Sequence, residues 1–537
     1  MSEQFAGWTI LFRQYLKRDW KKIILWVIGL SIFCGGFIPA FEEIAKGQGL
    51  IGMFETLKNP AMISMVGPTP VKEASDYTVG AMYAHEMLLF CGVFAMILSG
   101  LHVIGHTRKE EDLGIVELVR SFRVGRLANS LAVVKETITI NLLLVIVTSS
   151  MMMSFNIEGI DWEGSLLFSI SIGMAGVIGA VIALVFAQLM PTSAGANGGM
   201  LSVIGLLYIL RAGTDVSNLD FSRYNPMSWM YLTYPFTENN WWFILVAFGF
   251  VIVLFLVGLL LENFRDMGAG YLPERLGRAE AKSSLLSVRG LLVQISRGTI
   301  ISWLVGYVIM GAVYGSIYGD MNTFLSSNEL IEQMFRQSGV SIEESFTATI
   351  MSVLILLVII LPVLLVNKLF AEETKLRFSQ IFATKVTRGQ LFWTTIGLAI
   401  VSGIVGILLT TGDLGASALA SVDGESQLTF IDFIAAGFNF LPVILFFVGL
   451  AAVFLGWLPK WNKVVYVYLF YTFMLSYFGG ILDLPEWFSK TAILNWVPTM
   501  PTESFDFTVF ISISLIGCLL MIIGFYGYRK RDLLEGE

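Results

Sequence analysis

Charge is scarce in this chain. Of its 537 residues only 14% are Asp, Glu, Lys or Arg, against roughly 25% in soluble proteins. The hydrophobic share is 55% and the mean hydropathy +0.74, which excludes a water-soluble globule with a charged surface. Cysteine is equally rare. Cys34, Cys91 and Cys518 each sit inside an apolar run, so neither a disulfide framework nor a thiolate metal site is expected. There are three histidines, and His85, His102 and His106 form no metal-ligand spacing with Cys or a carboxylate. His102 and His106, four apart, read as a polar stripe near one end of a helix, and no metal is expected. A GxxxxGK[ST] phosphate loop is missing, as is any polar segment long enough for a nucleotide-binding domain. No catalytic constellation appears, so the chain is not expected to be an enzyme, and nothing in it suits a nucleic-acid partner.

What is present is a series of long apolar runs. They occupy 23–41, 87–105, 137–156, 164–189, 196–210, 241–261, 299–318, 346–367, 391–412, 433–459, 464–482 and 507–528. A helix rising 1.5 Å per residue needs about 20 apolar residues to cross the hydrocarbon core. The runs are continuous and do not alternate, which favours helices over barrel strands. The expected fold is an all-α integral membrane protein with about 12 transmembrane helices. The run at 196–210 is short, and the Gly-rich stretch before it leaves its start open. A charged stretch through Lys22 precedes a full-length span, so no cleavable signal is expected at the N-terminus.

Lys and Arg are distributed unevenly. With both termini placed in the cytoplasm, 27 of the 34 fall on the cytoplasmic side. The others are Lys46, Lys58, Lys72, Arg211, Arg223, Arg336 and Lys490, and the outer loops carry acids such as Glu158, Glu343 and Glu344. The net charge of −7 is thus the sum of a basic face and an acidic one. Within the spans, retained charges usually mark ion paths. Glu86, Glu136 and Asp432 are the nearest candidates, and all read as span-end residues. That argues for energy supplied from outside the chain and against proton coupling.

The runs group as six and six around a linker, which gives three segments: 1–262, 263–298 and 299–537. Each half opens with a basic, partly amphipathic stretch suited to an interfacial elbow helix, LFRQYLKRDWKKIILW at 11–26 and LVQISRGTIISW at 292–303. Each ends on Arg-Asp, at Arg265-Asp266 and Arg531-Asp532. Between the second and third spans lies a long helical loop in both halves, 107–126 and 370–390. Glu110-Glu111 is answered by Glu372-Glu373, and Glu117-Leu118 by Gln380-Ile381. A basic turn with glycine closes each loop, at Gly125-Arg126 and Arg388-Gly389. Two readings are open: an interfacial helix that anchors the loop, or a docking surface for a cytoplasmic partner. The aromatic segment RYNPMSWMYLTYPFTENNWW (223–242) reads as an interfacial belt or as a lid over an apolar path.

The pattern EE-x(2)-G-x(2)-EL-x(5)-VGR, carried by Glu110, Glu111, Gly114, Glu117, Leu118, Val124, Gly125 and Arg126, resembles the coupling loop of type-2 ATP-binding-cassette exporter permeases. The double-length layout, with KRDWKKIILW, RGTIISW, NPMSW…YPF…NNWW and RLGRAEA, is similar to the tetronasin/polyketide-antibiotic exporter permeases. The resemblance implies two pseudo-symmetric six-helix halves whose cytoplasmic coupling helices dock two copies of a separate ATPase. ATP and Mg would bind there, with no cofactor in this chain. Glu110, Glu111, Gly114, Glu117, Leu118 and Arg126 would meet one copy, and Glu372, Glu373, Gln380, Ile381 and Gly389 the other. Arg377 stands where the glycine would be and Gln380 replaces the glutamate, which leaves open whether the two docking sites are equivalent. The implied activity is efflux of hydrophobic compounds, antibiotics among them, across a bacterial plasma membrane. Met151, Met152, Met153, Phe446 and Phe447 are candidates for a soft-lined substrate cavity. A proton-coupled drug antiporter and a lipid or peptide exporter are the alternatives.

Overall fold

Residues 3–46, 49–58, 60–272, 280–320, 341–375, 377–422, 426–478 and 485–532 are described by the computed structural model. Among them there is no strand, and eleven helices are long and apolar enough to cross a membrane. The protein is an all-α, multi-pass membrane protein. The described residues group into two compact units, one within Met1–Leu276 and one from Gly277 onward.

The first unit contains α1 (Trp8–Gly35), α2 (Val79–His106), the short α3 (Ile115–Arg120), α4 (Ala128–Ser154), α5 (Trp162–Leu189), α6 (Ser193–Ser217) and α7 (Trp242–Phe264). The second contains α8 (Val288–Ser316), α9 (Ile342–Thr374), the short α10 (Arg377–Phe382), α11 (Arg388–Ser421), α12 (Phe430–Phe438), α13 (Leu441–Trp457), α14 (Val464–Phe478) and α15 (Phe507–Lys530). Of the run 464–482, residues 479–482 lie outside the described residues, as do most of RLGRAEA and Arg336. The two basic stretches expected as elbow helices, 11–26 and 292–303, lie within the continuous helices α1 and α8.

Helix starts follow local polar chemistry. Thr78, Asp161, Thr387 and Asp506 each accept a backbone N–H at the start of α2, α5, α11 and α15. Ser341 and Glu344 form a reciprocal capping box at α9. The helices then turn apolar faces outward. Leu245, Val253, Leu256 and Leu260 on α7 are all more than half exposed, while Asp19 on α1 is 1% exposed beside the half-exposed Trp20. Lipid-facing apolar residues around inward-turned polar ones are what hydrocarbon demands.

The short run 196–210 belongs to a helix of 25 residues. Thr192 caps it by accepting the Gly195 N–H, so the Gly-rich stretch forms its first turns. At its far end Arg211 and Asp215 neutralise each other one turn apart at 3.0 Å. Arg211, which the charge distribution assigns to an outer loop, is therefore a fully buried helix residue.

In the second unit α13 and α15 meet along glycines. A Cβ on Gly456 would collide with the Gly524 carbonyl oxygen, and one on Gly449 would lie 2.5 Å from that of Gly517. Small residues let membrane helices approach this closely. Gly456→Val is expected to force the pair apart at a cost of about 1–3 kcal/mol. Thermal unfolding in detergent would check this against Gly397→Val, whose Cβ meets nothing within 4 Å.

Candidate functional site: paired loops at the basic ends of the helices

After α2 the chain forms a tight turn of helix, Arg108–Asp112, and then α3. The two are joined at Gly114, whose φ of +73° opens α3 and disfavours any side chain. Glu110 is buried and takes Arg18 of α1 at 2.8 Å and the Tyr15 hydroxyl at 3.2 Å. Glu111 receives Arg265, just beyond α7, at 2.7 Å, Arg108 at 3.1 Å and the Gly268 N–H at 2.6 Å. Arg126 donates to the Arg265 carbonyl. Burial lowers the pKa of the Arg120 guanidinium, and Glu262 at 3.9 Å opposes that. Gly125 lies where the backbone of Gln4 crosses, and a Cβ there would collide with it.

The outer side of this braced loop is apolar and open. Leu113, Leu118 and Phe122 are 65–70% exposed, and Glu117 is exposed among them. Of the candidates for partner contact, then, Glu117 and Leu118 are free to touch another protein. Glu110, Glu111 and Arg126 instead hold the loop to α1 and α7. Gly114 sets the turn.

The second unit repeats the brace. Glu373 binds Arg531, just beyond α15, through both of its carboxylate oxygens at 2.5–2.6 Å. Arg388 donates to the Arg531 carbonyl at 2.6 Å, as Arg126 does to Arg265. Glu372 pairs with Arg377 at 2.6 Å, the residue that stands where the first loop has glycine. Gln380 is exposed, whereas Phe378 is buried and Ile381 and Phe382 pack against the core. Gly389 sits in the first turn of α11 against Phe525. Among its described residues, the second loop therefore turns its large apolar side chains inward, where the first exposes Leu113, Leu118 and Phe122.

The residues suggested for a substrate cavity are mostly packing positions. Met152 and Phe447 are fully buried in the cores of the first and second units, Phe446 packs against the latter core, and Met153 is half exposed. Met151 is half-buried. An open cleft of about 560 Å³ lies along the aromatic segment, lined by Arg223, Tyr224, Trp229, Tyr234, Glu238 and Trp242. Tyr231 in that segment donates to Asp215 at 2.6 Å, and Arg211 donates to the Ser64 and Met65 carbonyls. Burial, with the Asp215 carboxylate second, pushes the Tyr231 phenol up, so it remains a donor.

The spans hold more buried charge than the sequence suggests. Glu136 is fully buried within α4, and Glu86 lies two turns inside α2. His85 is satisfied by Tyr77 and the Gly67 carbonyl, each at 3.0 Å. His102 and His106 are not an isolated stripe. One ligand atom from each, with one from Glu136, lies within 4.8 Å of the others, a carboxylate that the sequence spacing does not bring to them. Glu136 is thirty residues from His106 in sequence, too far for any spacing motif to flag it.

Residues 285–529 match a family described as the C-terminal domain of the multidrug efflux system permease Rv1217c. Over 544 residues the chain is 24% identical to the multidrug efflux system permease protein Rv1217c of Mycobacterium tuberculosis (strain ATCC 25618 / H37Rv), covering 98% of this chain and 95% of that one. The likeness to an efflux permease thus runs through both units.

Proposed function

We propose, from that whole-length likeness to an efflux permease, that this chain is the membrane subunit of an ATP-driven exporter of hydrophobic compounds. On this reading it works with two copies of a separate ATPase, as its resemblance to type-2 exporter permeases of the tetronasin group implies. ATP and Mg belong to that partner, and the chain itself is a transport subunit and not an enzyme. The membrane is the bacterial plasma membrane, with the basic helix ends and both termini on the cytoplasmic side, following the Lys and Arg distribution.

The observation that carries the proposal is the surface at 113–122. Exposed Leu113, Leu118 and Phe122 with Glu117 among them, flanked by exposed Asp112 and Arg123, give apolar side chains with a charged rim, the composition of a protein contact. A helix of six residues has no stability of its own. This one is tied to α7 through Arg120 and Glu262, and the turn just before it, Arg108–Asp112, is held by ion pairs to α1 and to Arg265 beyond α7, so a push on it is passed to those helices. That is what a coupling element requires.

Glu117→Arg is expected to lower ATP-dependent export by at least about tenfold, since a like-charge or unpaired contact at an interface costs several kcal/mol. The buried brace should keep the variant folded. Affinity purification of the native chain should recover a single ATPase at two copies per chain, and the variant should lose it. Unchanged export by Glu117→Arg would remove the assignment. Recovery of the native chain alone, with drug transport abolished by a protonophore, would move it to a proton antiporter. The fixed partners of Arg211, Asp215 and Asp19 speak against that reading, because a relay group must release its proton.

A further inference from the structure

We propose that His102, His106 and Glu136 form a binding site for one divalent transition-metal ion, of the zinc class, at the basic end of the first unit. The site joins two helices directly. His102 and His106 lie one turn apart on the last two turns of α2, and Glu136 faces them from α4.

Three observations carry it. The first is geometry. His102 Nε2 and Glu136 Oε2 are 3.2 Å apart, and zinc bonds of about 2.0–2.1 Å in a tetrahedron separate neighbouring ligand atoms by about 3.3 Å. The His102 and His106 rings are 4.3 Å apart between centroids, close enough to serve one ion.

The second is the state of the unused atoms. His106 Nε2 meets Asp19 Oδ2 at 2.9 Å. That contact fixes the hydrogen on Nε2 and leaves Nδ1 as the lone pair. Nδ1 is buried and without a hydrogen-bond partner, and so is Glu136 Oε1. An imidazole that donates one nitrogen to a carboxylate and turns the other to a metal is the recurrent carboxylate–histidine–metal arrangement.

The third is charge. Glu136 is 0% exposed, and a buried carboxylate needs a cation. The neighbouring cations are committed elsewhere. Lys22 and Arg18 bind Asp19, Arg18 also binds Glu110, and the Lys135 ammonium lies 3.9 Å over the Trp8 ring. His102, at 3.2 Å from Glu136, is a cation only when protonated, and a divalent ion would supply a permanent positive charge there. Two imidazoles and one carboxylate suit zinc and its neighbours, and not calcium or magnesium, which take all-oxygen shells. One position would remain for water. Through Asp19 the ion would also tie α1 to the pair.

The test uses the full-length chain, carrying an affinity tag without histidine, in detergent after chelation. Zn2+ is titrated by equilibrium dialysis, and Co2+ is used as a spectroscopic stand-in. The expected result is one Zn2+ per chain, a visible d–d absorption with Co2+, and a higher unfolding temperature with metal. Glu136→Gln and His106→Gln should each weaken binding by at least about a hundredfold, and Asp19→Asn, which removes no ligand and weakens the carboxylate behind His106 along with its pairs to Lys22 and Arg18, by about tenfold. Should either ligand variant fail to fold, the Asp19→Asn shift and the native Co2+ spectrum still decide. Fewer than about one-tenth of an ion bound by the native chain, or binding unchanged across these variants, would overturn the site.

Discussion

Asp215→Leu is expected to destabilise the first unit by about 3–5 kcal/mol, the usual cost of leaving one member of a buried ion pair behind. Arg211 and Asp215 both have side chains with no exposure. Asp215 also accepts from Ser222 at 2.5 Å and from Tyr231 at 2.6 Å. The substitution therefore strands a guanidinium charge and the Tyr231 hydroxyl at once, while Ser222 keeps Thr214 at 2.6 Å. Arg211 would keep the Ser64 and Met65 carbonyls, which satisfy its hydrogens and not its charge. The double variant Arg211→Met/Asp215→Leu should recover much of the loss, because the pair is removed together. The measurement is maleimide labelling of the buried Cys34 and Cys91 during heating, in a Cys518→Ser background. Both thiols belong to the first unit, so their exposure reports on it alone. A labelling midpoint in Asp215→Leu equal to that of the parent would mean that the pair carries no weight.

The second large effect is expected at the repeated brace. Arg265→Met removes the bidentate partner of Glu111 and the donor to Gln188 at 3.0 Å. Arg531→Met removes the corresponding partner of Glu373. Each should cost about 3 kcal/mol and should also loosen the loop from the end of the last helix in its unit. The stability loss is read by unfolding of the purified chain. The mechanical loss is read by ATP-dependent export at temperatures where the variant is still folded. If export per folded molecule is unchanged in both variants, the braces hold the fold and transmit nothing. The pair Glu111→Gln/Arg265→Met should recover part of the stability and none of the transmission, which separates the two roles.

Half of each brace is legible in the sequence. Glu-Glu after one span and Arg-Asp after another recur in both halves, which marks four places as related. The recurrence does not pair them. Glu111 and Arg265 are 154 residues apart, and no local pattern links positions so distant. Only the packing of α7 and α2 against the same helix, α5, brings the charges together. The same holds for Arg126 and Arg388. Each belongs to a basic turn by sequence, and each holds the carbonyl of the arginine that the glutamate binds. By pattern Glu110 and Glu111 are surface charges for a partner. In the fold they are internal ties, because a loop with two acids can turn them inward once cations from α1 and the end of α7 arrive. Glu117 and Leu118 remain available for the contact that the pattern suggests, since both are exposed among the described residues.

Hydrophobic run length determined the membrane class and nearly all of the spanning helices, because hydrocarbon tolerates no unsatisfied backbone and each span must be helical and apolar along its length. Helix starts such as Thr78 and Ser341 are also written locally, in a side chain that reaches an N–H three residues on. The interior polar contacts are not. By sequence Arg211 falls in a loop and Glu136 at a span end, because charge in an apolar run reads as an edge. In the folded protein Asp215 and the histidines of α2 make those positions habitable. Which charges are buried depends on partners that are distant in the chain and adjacent in space, and only the tertiary structure decides that.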